Sequence, residues 1–158
     1  MTDYLTVDDL LEVTRRVVDG EARIRDAGLI ASAEARPRTT VFGQDAYPGI
    51  WEKSAALMES LGRNHALIDG NKRLAWNAVW FFLGLNGHML REPLDEDTAE
   101  QFVIDVVTGR LELPQIAAGL LSFAEEPPAV ASASEAIPAK LRAGARDRTH
   151  VASPGSDH

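Results

Sequence analysis

Nine residues, His65 to Arg73, hold a histidine, an aspartate, a glycine, an asparagine, a lysine and an arginine, within the stretch HALIDGNKRLAWN that ends at Asn77. These types suit chemistry on a nucleotide phosphate. An imidazole can take a proton from an attacking hydroxyl. One carboxylate beside phosphate oxygens is what a magnesium ion asks for. The free amides of a helix start favour an anion, and a glycine lets that anion come close. If a helix begins near Gly70, Lys72 and Arg73 add two cations to that cradle, and arginine can grip phosphate with a planar fork. Asn77 lies about one turn beyond Arg73 and can offer a further donor. Asp69 stands beside the cradle. His65 precedes it on a loop that Leu67 and Ile68 would anchor to the core.

Each of these residues also has a plain structural use. His65 can be a surface histidine, Asp69 a helix cap and Asn71 a turn residue. Lys72 and Arg73 can be solvated charges, and Asn77 can bond a backbone carbonyl. Spacing alone leaves both readings open.

The elements that must position this stretch read as helices. A chain of 158 residues, 45% of them hydrophobic, can build one domain with a real core. Thr6 can cap a first helix carrying Leu10, Leu11, Val13, Val17 and Val18 on one side. Gly28 to Arg36 reads as a short helix stopped at Pro37. Pro48 to Leu61 is another, with Gly62 at its C-terminal end. Gly70 to Asn86 is apolar nearly all round, which predicts neighbours on several sides. Asp95 to Thr108, and Pro114 to about Phe123, complete the set. Residues 1–124 are therefore expected to be all-α, a compact bundle of six helices. A small hairpin or flap fits only at Thr39 to Phe42 or His88 to Leu94. From residue 125 to 158 large apolar residues are scarce and aromatics absent, so that stretch is expected to be a disordered tail, with a short helix conceivable around Ala136 to Ala143.

Composition narrows the function classes. The net charge of −8 argues against direct nucleic-acid binding. With no cysteine there is no disulfide and no thiolate metal site, which suits a reducing cytoplasm. The start MTDYLTVDDLL has no basic residue ahead of an apolar run, so no secretory signal is expected. The longest apolar stretch, Leu74 to Leu85, is broken by Asn77 and too short to span a bilayer. The expected location is cytoplasmic, with no membrane partner.

The run HxxxDGNKR ahead of an apolar helix resembles the signature of the Fic superfamily, in particular its death-on-curing (Doc) branch. The wider Fic pattern is HxFx(D/E)GNGRxxR. This chain has Lys72 at the second glycine of that pattern and Trp76 at its last arginine, as the Doc branch does. The upstream stretch DAGLIASAEARP…FG…YPGIWEKSAALMESLGRNHALIDGNKR is also similar to Doc-like chains, so the resemblance covers roughly residues 4 to 123. It implies a small helical bundle. It implies His65 as the general base, Asp69 as the magnesium ligand, and Gly70, Asn71, Lys72, Arg73 and Asn77 as the segment on the phosphates of ATP. In the Doc branch the lysine is thought to crowd the place of the α-phosphate, so that the nucleotide lies reversed and presents its γ-phosphoryl. The implied activity is a protein Ser/Thr kinase acting on elongation factor Tu as a growth-arresting toxin, held in check by a Phd-like antitoxin. The alternatives are Fic-type AMP transfer to a protein hydroxyl, or an inactive module that only binds a nucleotide or partner.

Some positions depart from the pattern. Leu67 replaces the family phenylalanine, and Thr14-Arg15-Arg16 stands where Doc-like chains often carry a histidine before the arginines. Arg36 and Arg38, ahead of the expected flap, are candidates for contact with target or nucleotide. Many Fic proteins silence themselves through an (S/T)xxxE(G/N) helix. Ser122 to Glu126 comes nearest, but Pro127 follows, so no such helix is expected, and a separate antitoxin would provide restraint.

Overall fold

Helix starts are set by side chains that take otherwise orphaned amides. In the computed structural model, which describes residues 1–126, Thr6 and Asp9 cap α1 (Val7–Val17) reciprocally, at 3.1 and 2.9 Å. The Asp26 carboxylate accepts from Gly28 N at 2.9 Å and opens α2 (Ala27–Ala35), which tightens into a 3-10 turn over Arg36–Arg38. Asp95 caps α5 (Glu96–Val107) through the hydroxyl and the amide of Thr98. Those two bonds hold its carboxyl below the ordinary range. Pro114 sits in the first turn of α6 (Leu113–Phe123), where its missing N–H costs nothing. By contrast α3 (Ile50–Arg63) and α4 (Asn71–Leu85) begin at glycines, Gly49 and Gly70, with no side-chain cap.

Among the described residues there are thus six helices, as the sequence predicts, and one small hairpin. The hairpin pairs β1 (Thr40–Val41) with β2 (Gln44–Asp45) around Phe42 and Gly43, both at positive φ, the turn that matches strand twist. It falls at the first of the two places expected for a flap and extends three residues past it. Lys53 on α3, almost fully buried, ties the hairpin down by donating to Asp45 at 2.9 Å and to the carbonyl of Tyr47.

The core lies between α3 and α4, with α1, α2, α5 and α6 packed around them. Phe82, Leu10, Ile30, Leu57, Met58, Leu61, Leu74, Leu83, Ile116 and Leu120 are all fully buried. Each such side chain contributes about 1.5–3 kcal/mol of burial. Trp76 meets Trp80, Phe102 and Phe123 edge to face, which fastens α4 to α5 and α6. The all-round burial expected for α4 is not complete. Asn77, Phe81 and Leu85 form an exposed stripe at helical spacing, which no element among the described residues covers.

Two further expectations change. Gly62 does not end α3. The helix continues to Arg63, and a Cβ on Gly62 would stand 2.6 Å from Val107 Cγ1, so the glycine is there to let α5 approach. Arg36 and Arg38 are not held ready for a ligand. Arg36 pairs with Glu59 at 2.7 Å, donates to Ser60 Oγ and the Tyr47 hydroxyl, and lies over the Tyr47 ring. Arg38 pairs with Glu34 at 2.7 Å, donates to the Leu5 carbonyl and stacks on Tyr4. Both fasten elements together.

By contact, Met1–Glu125 forms one compact unit. Of the tail expected over residues 125–158, Glu125 and Glu126 are described, with Glu125 N donating to the Met89 carbonyl at 2.7 Å, and residues 127–158, with the short helix expected around Ala136 to Ala143, lie outside the described residues. No helix among the described residues is long and apolar enough to cross a membrane.

Candidate active site

The loop between α3 and α4 is built by main-chain pairing rather than by regular structure. Residues 23–26 lie antiparallel to residues 66–68. Arg25 N and Asp26 N donate to the Ala66 carbonyl at 2.8 and 3.1 Å, and Ile68 N donates to the Arg23 carbonyl at 3.1 Å. From the other side Asn71 closes the loop. Its Oδ1 accepts from Leu67 N at 3.0 Å, and its Nδ2 donates to the Leu67 carbonyl at 2.9 Å. Leu67 is buried, as expected of an anchor, whereas Ile68 is 60% exposed and anchors nothing.

The loop presents His65, and α4 presents its amino end. His65, Asp69, Gly70, Asn71, Lys72 and Arg73 line one open cavity of about 360 Å³, with Ile104 and Val107 of α5 and Thr108 just past its end among the remaining walls. His65 is exposed and sits at φ 51. Only a few per cent of non-glycine residues adopt such a left-handed backbone. Gly70 has φ 95, and a Cβ there would meet Val18 Cγ2 at 2.9 Å, so this glycine serves both conformation and close packing.

The individual side chains divide into tethered and free. Asp69 is exposed. One of its oxygens accepts from Gly70 N at 2.8 Å, so it does not cap the amides deeper in the first turn of α4. The absence of a side-chain cap leaves those amides to whatever fills the cavity. Lys72 is exposed at the helix tip. Arg73 Nη1 donates to the Val17 carbonyl at 2.9 Å and lies 3.5 Å from Asp19, so its guanidinium rests on the carboxyl end of α1. Its Nη2 stays near Gly70, 3.8 Å from the place of the absent Cβ. Asn71 is spent on Leu67, so only its main chain remains for a ligand. Asn77 turns its Nδ2 back to the Arg73 carbonyl at 2.8 Å and lines a second hollow rather than the one holding His65. That hollow, of about 490 Å³, also includes Lys72, Arg73, Trp76, Glu96 and Glu100. The two cations thus stand between two adjoining hollows.

A magnesium ion bound mainly through substrate phosphates needs only one or two protein carboxylates. Asp69, exposed at the rim of the cavity, fits that requirement. Among the described residues no cluster of three or more histidines and carboxylates could hold a metal by itself.

Two residues that shape the site carry no obvious signal in the sequence. Arg25 Nε donates to the His65 carbonyl at 2.7 Å, and Arg25 Nη2 donates to the Asn64 carbonyl at 3.0 Å. Arg23 contributes only its carbonyl. A main-chain acceptor some forty residues away leaves no trace in spacing. The one available hint was the clustering of polar residues from Asp19 to Asp26, which reads equally well as a plain loop.

Comparison with known proteins agrees with this architecture. A family model described as Fic/DOC family matches residues 4–83, half of the chain and all of the loop and helix start. The chain is also similar to a protein named Toxin Doc from Mycolicibacterium smegmatis (strain ATCC 700084 / mc(2)155). The two are 50% identical over 124 residues, which make up 78% of this chain and 95% of that relative. On the strength of that extent and identity, this chain belongs to the Fic/DOC family.

Proposed function

We propose that this protein is the toxin of a toxin–antitoxin pair and that it moves the γ-phosphoryl group of ATP to a serine or threonine hydroxyl of a protein. One observation carries the reading: His65 and the uncapped amino end of α4 line the same open cavity. The similarity to a toxin Doc supports it. So does Lys72, which stands where the wider Fic pattern has glycine.

His65 takes the proton of the target hydroxyl as that oxygen bonds to the γ-phosphorus. The bond from phosphorus to the β-phosphate oxygen breaks, and ADP departs with that oxygen. The amides of the first turn of α4, Lys72 and the Arg73 guanidinium face the phosphate charge. Transfer of this kind depends on positioning and charge stabilisation more than on covalent help. Asp69 would hold magnesium, which neutralises phosphate charge when bound. By resemblance the target is elongation factor Tu, and the restraining partner is a Phd-like antitoxin.

Label position tests the reaction. With ATP labelled at the γ-phosphate and a bacterial lysate, one protein band of the size of elongation factor Tu should gain label, and α-labelled ATP should leave it blank. Label from the α-phosphate would instead establish AMP transfer. Label from neither would leave a binding module.

A further inference from the structure

We propose that Arg25 is a positioning residue that sets the direction of the His65 imidazole by clamping the two peptide groups on either side of it. This inference rests on His65 acting as the base.

The carbonyl of Asn64 belongs to the peptide group before His65, and the carbonyl of His65 belongs to the one after it. The φ and ψ of His65 are the rotations between those two planes. Arg25 donates to both carbonyls from one edge of its guanidinium, Nε at 2.7 Å to His65 and Nη2 at 3.0 Å to Asn64. A planar, rigid fork that holds both planes fixes both rotations, and with them the direction of the Cα–Cβ bond.

The clamp has something to hold against. His65 sits at φ 51, in the left-handed region that few non-glycine residues enter, although histidine enters it more readily than most, and such backbones persist where the surroundings hold them. The neighbouring bonds, from Arg25 N, Asp26 N and Ile68 N, act on residues 66 and 23 and leave the peptide before His65 untouched. Neither bond of the Arg25 fork goes to a carboxylate. What Arg25 contributes is therefore the shape of its donor edge rather than its charge. It is also exposed, so its removal opens no core cavity.

The test compares Arg25→Ala, Arg25→Lys and His65→Ala with the unaltered full chain. It measures the initial rate of γ-label transfer to lysate protein across a range of ATP concentrations, and the binding of a non-hydrolysable ATP analogue. A misaligned base should lower the rate at saturating ATP by about 10- to 100-fold. Binding of the analogue should stay within about twofold, because the lost interaction concerns the reacting geometry and not the nucleotide. Arg25→Lys should be as impaired as Arg25→Ala, since an ammonium keeps the charge and loses the fork. Either Arg25 variant at the unaltered rate overturns the inference, as does a loss confined to analogue binding. If His65→Ala is inactive while the Arg25 variants are fully active, the inference fails alone. If His65→Ala is active, the assignment of the base fails and this inference with it.

Discussion

Replacing His65 with alanine should slow transfer of the γ-label by about 10²- to 10⁴-fold, the range of a well-placed general base. It should also abolish growth arrest when the protein is expressed without its partner. The substituted side chain is exposed on a loop, so helix content and thermal midpoint should stay near those of the unaltered protein. A variant that still arrests growth would remove the histidine from the chemistry. The cavity would then be a binding site in search of another base, with Asp69 and Lys72 the candidates among the described lining residues.

Asn71→Ala should produce the second largest effect, and it should do so through stability. The Asn71 side chain satisfies both the amide and the carbonyl of Leu67. Leaving a buried polar group unpaired costs about 1–3 kcal/mol, and this substitution orphans two at a partly buried site. Thermal unfolding should therefore shift downward, and transfer activity should fall with it. Asn71→Asp should be little better, because a carboxylate keeps the acceptor for Leu67 N while facing the Leu67 carbonyl with no donor. If Asn71 were instead a phosphate ligand, ATP affinity would drop while the thermal midpoint held. The two outcomes are readily told apart.

Much of the bundle was legible because helix boundaries are written locally. Thr6, Asp95 and Pro114 mark starts, and Gly87 and Gly109, both at positive φ, mark stops just past the C-caps that follow Leu85 and Val107. The apolar spacing of α3 and α4 named the core residues for the same reason. Features that depend on a partner from elsewhere in the chain were not legible. Gly62 looked like a helix stop, and only the position of Val107 shows that it is a contact point. Phe81 and Leu85 looked like core because the sequence does not say which side of α4 stays uncovered. In the site, the grouping of His65, Asp69, Lys72 and Arg73 was readable from type and spacing. That Asn77 bonds a main-chain carbonyl was one of the two readings its type allowed, whereas the tethering of Asn71 and Arg73 was not legible, since every residue offers such a carbonyl.

The loop that carries His65 is anchored at Leu67 and Asn71, but His65 itself is fastened by exposed hydrogen bonds from far away in the chain. Arg25 reaches it across 40 residues, and Arg73 reaches the end of α1 across 56. Hydrogen bonds in the open yield at low free energy, whereas the leucine and phenylalanine interior yields only with the whole fold. In a urea titration, catalysis should accordingly vanish at concentrations where the circular dichroism of the helices is still intact. The protein would pass through a form that is folded by every spectroscopic measure and chemically silent.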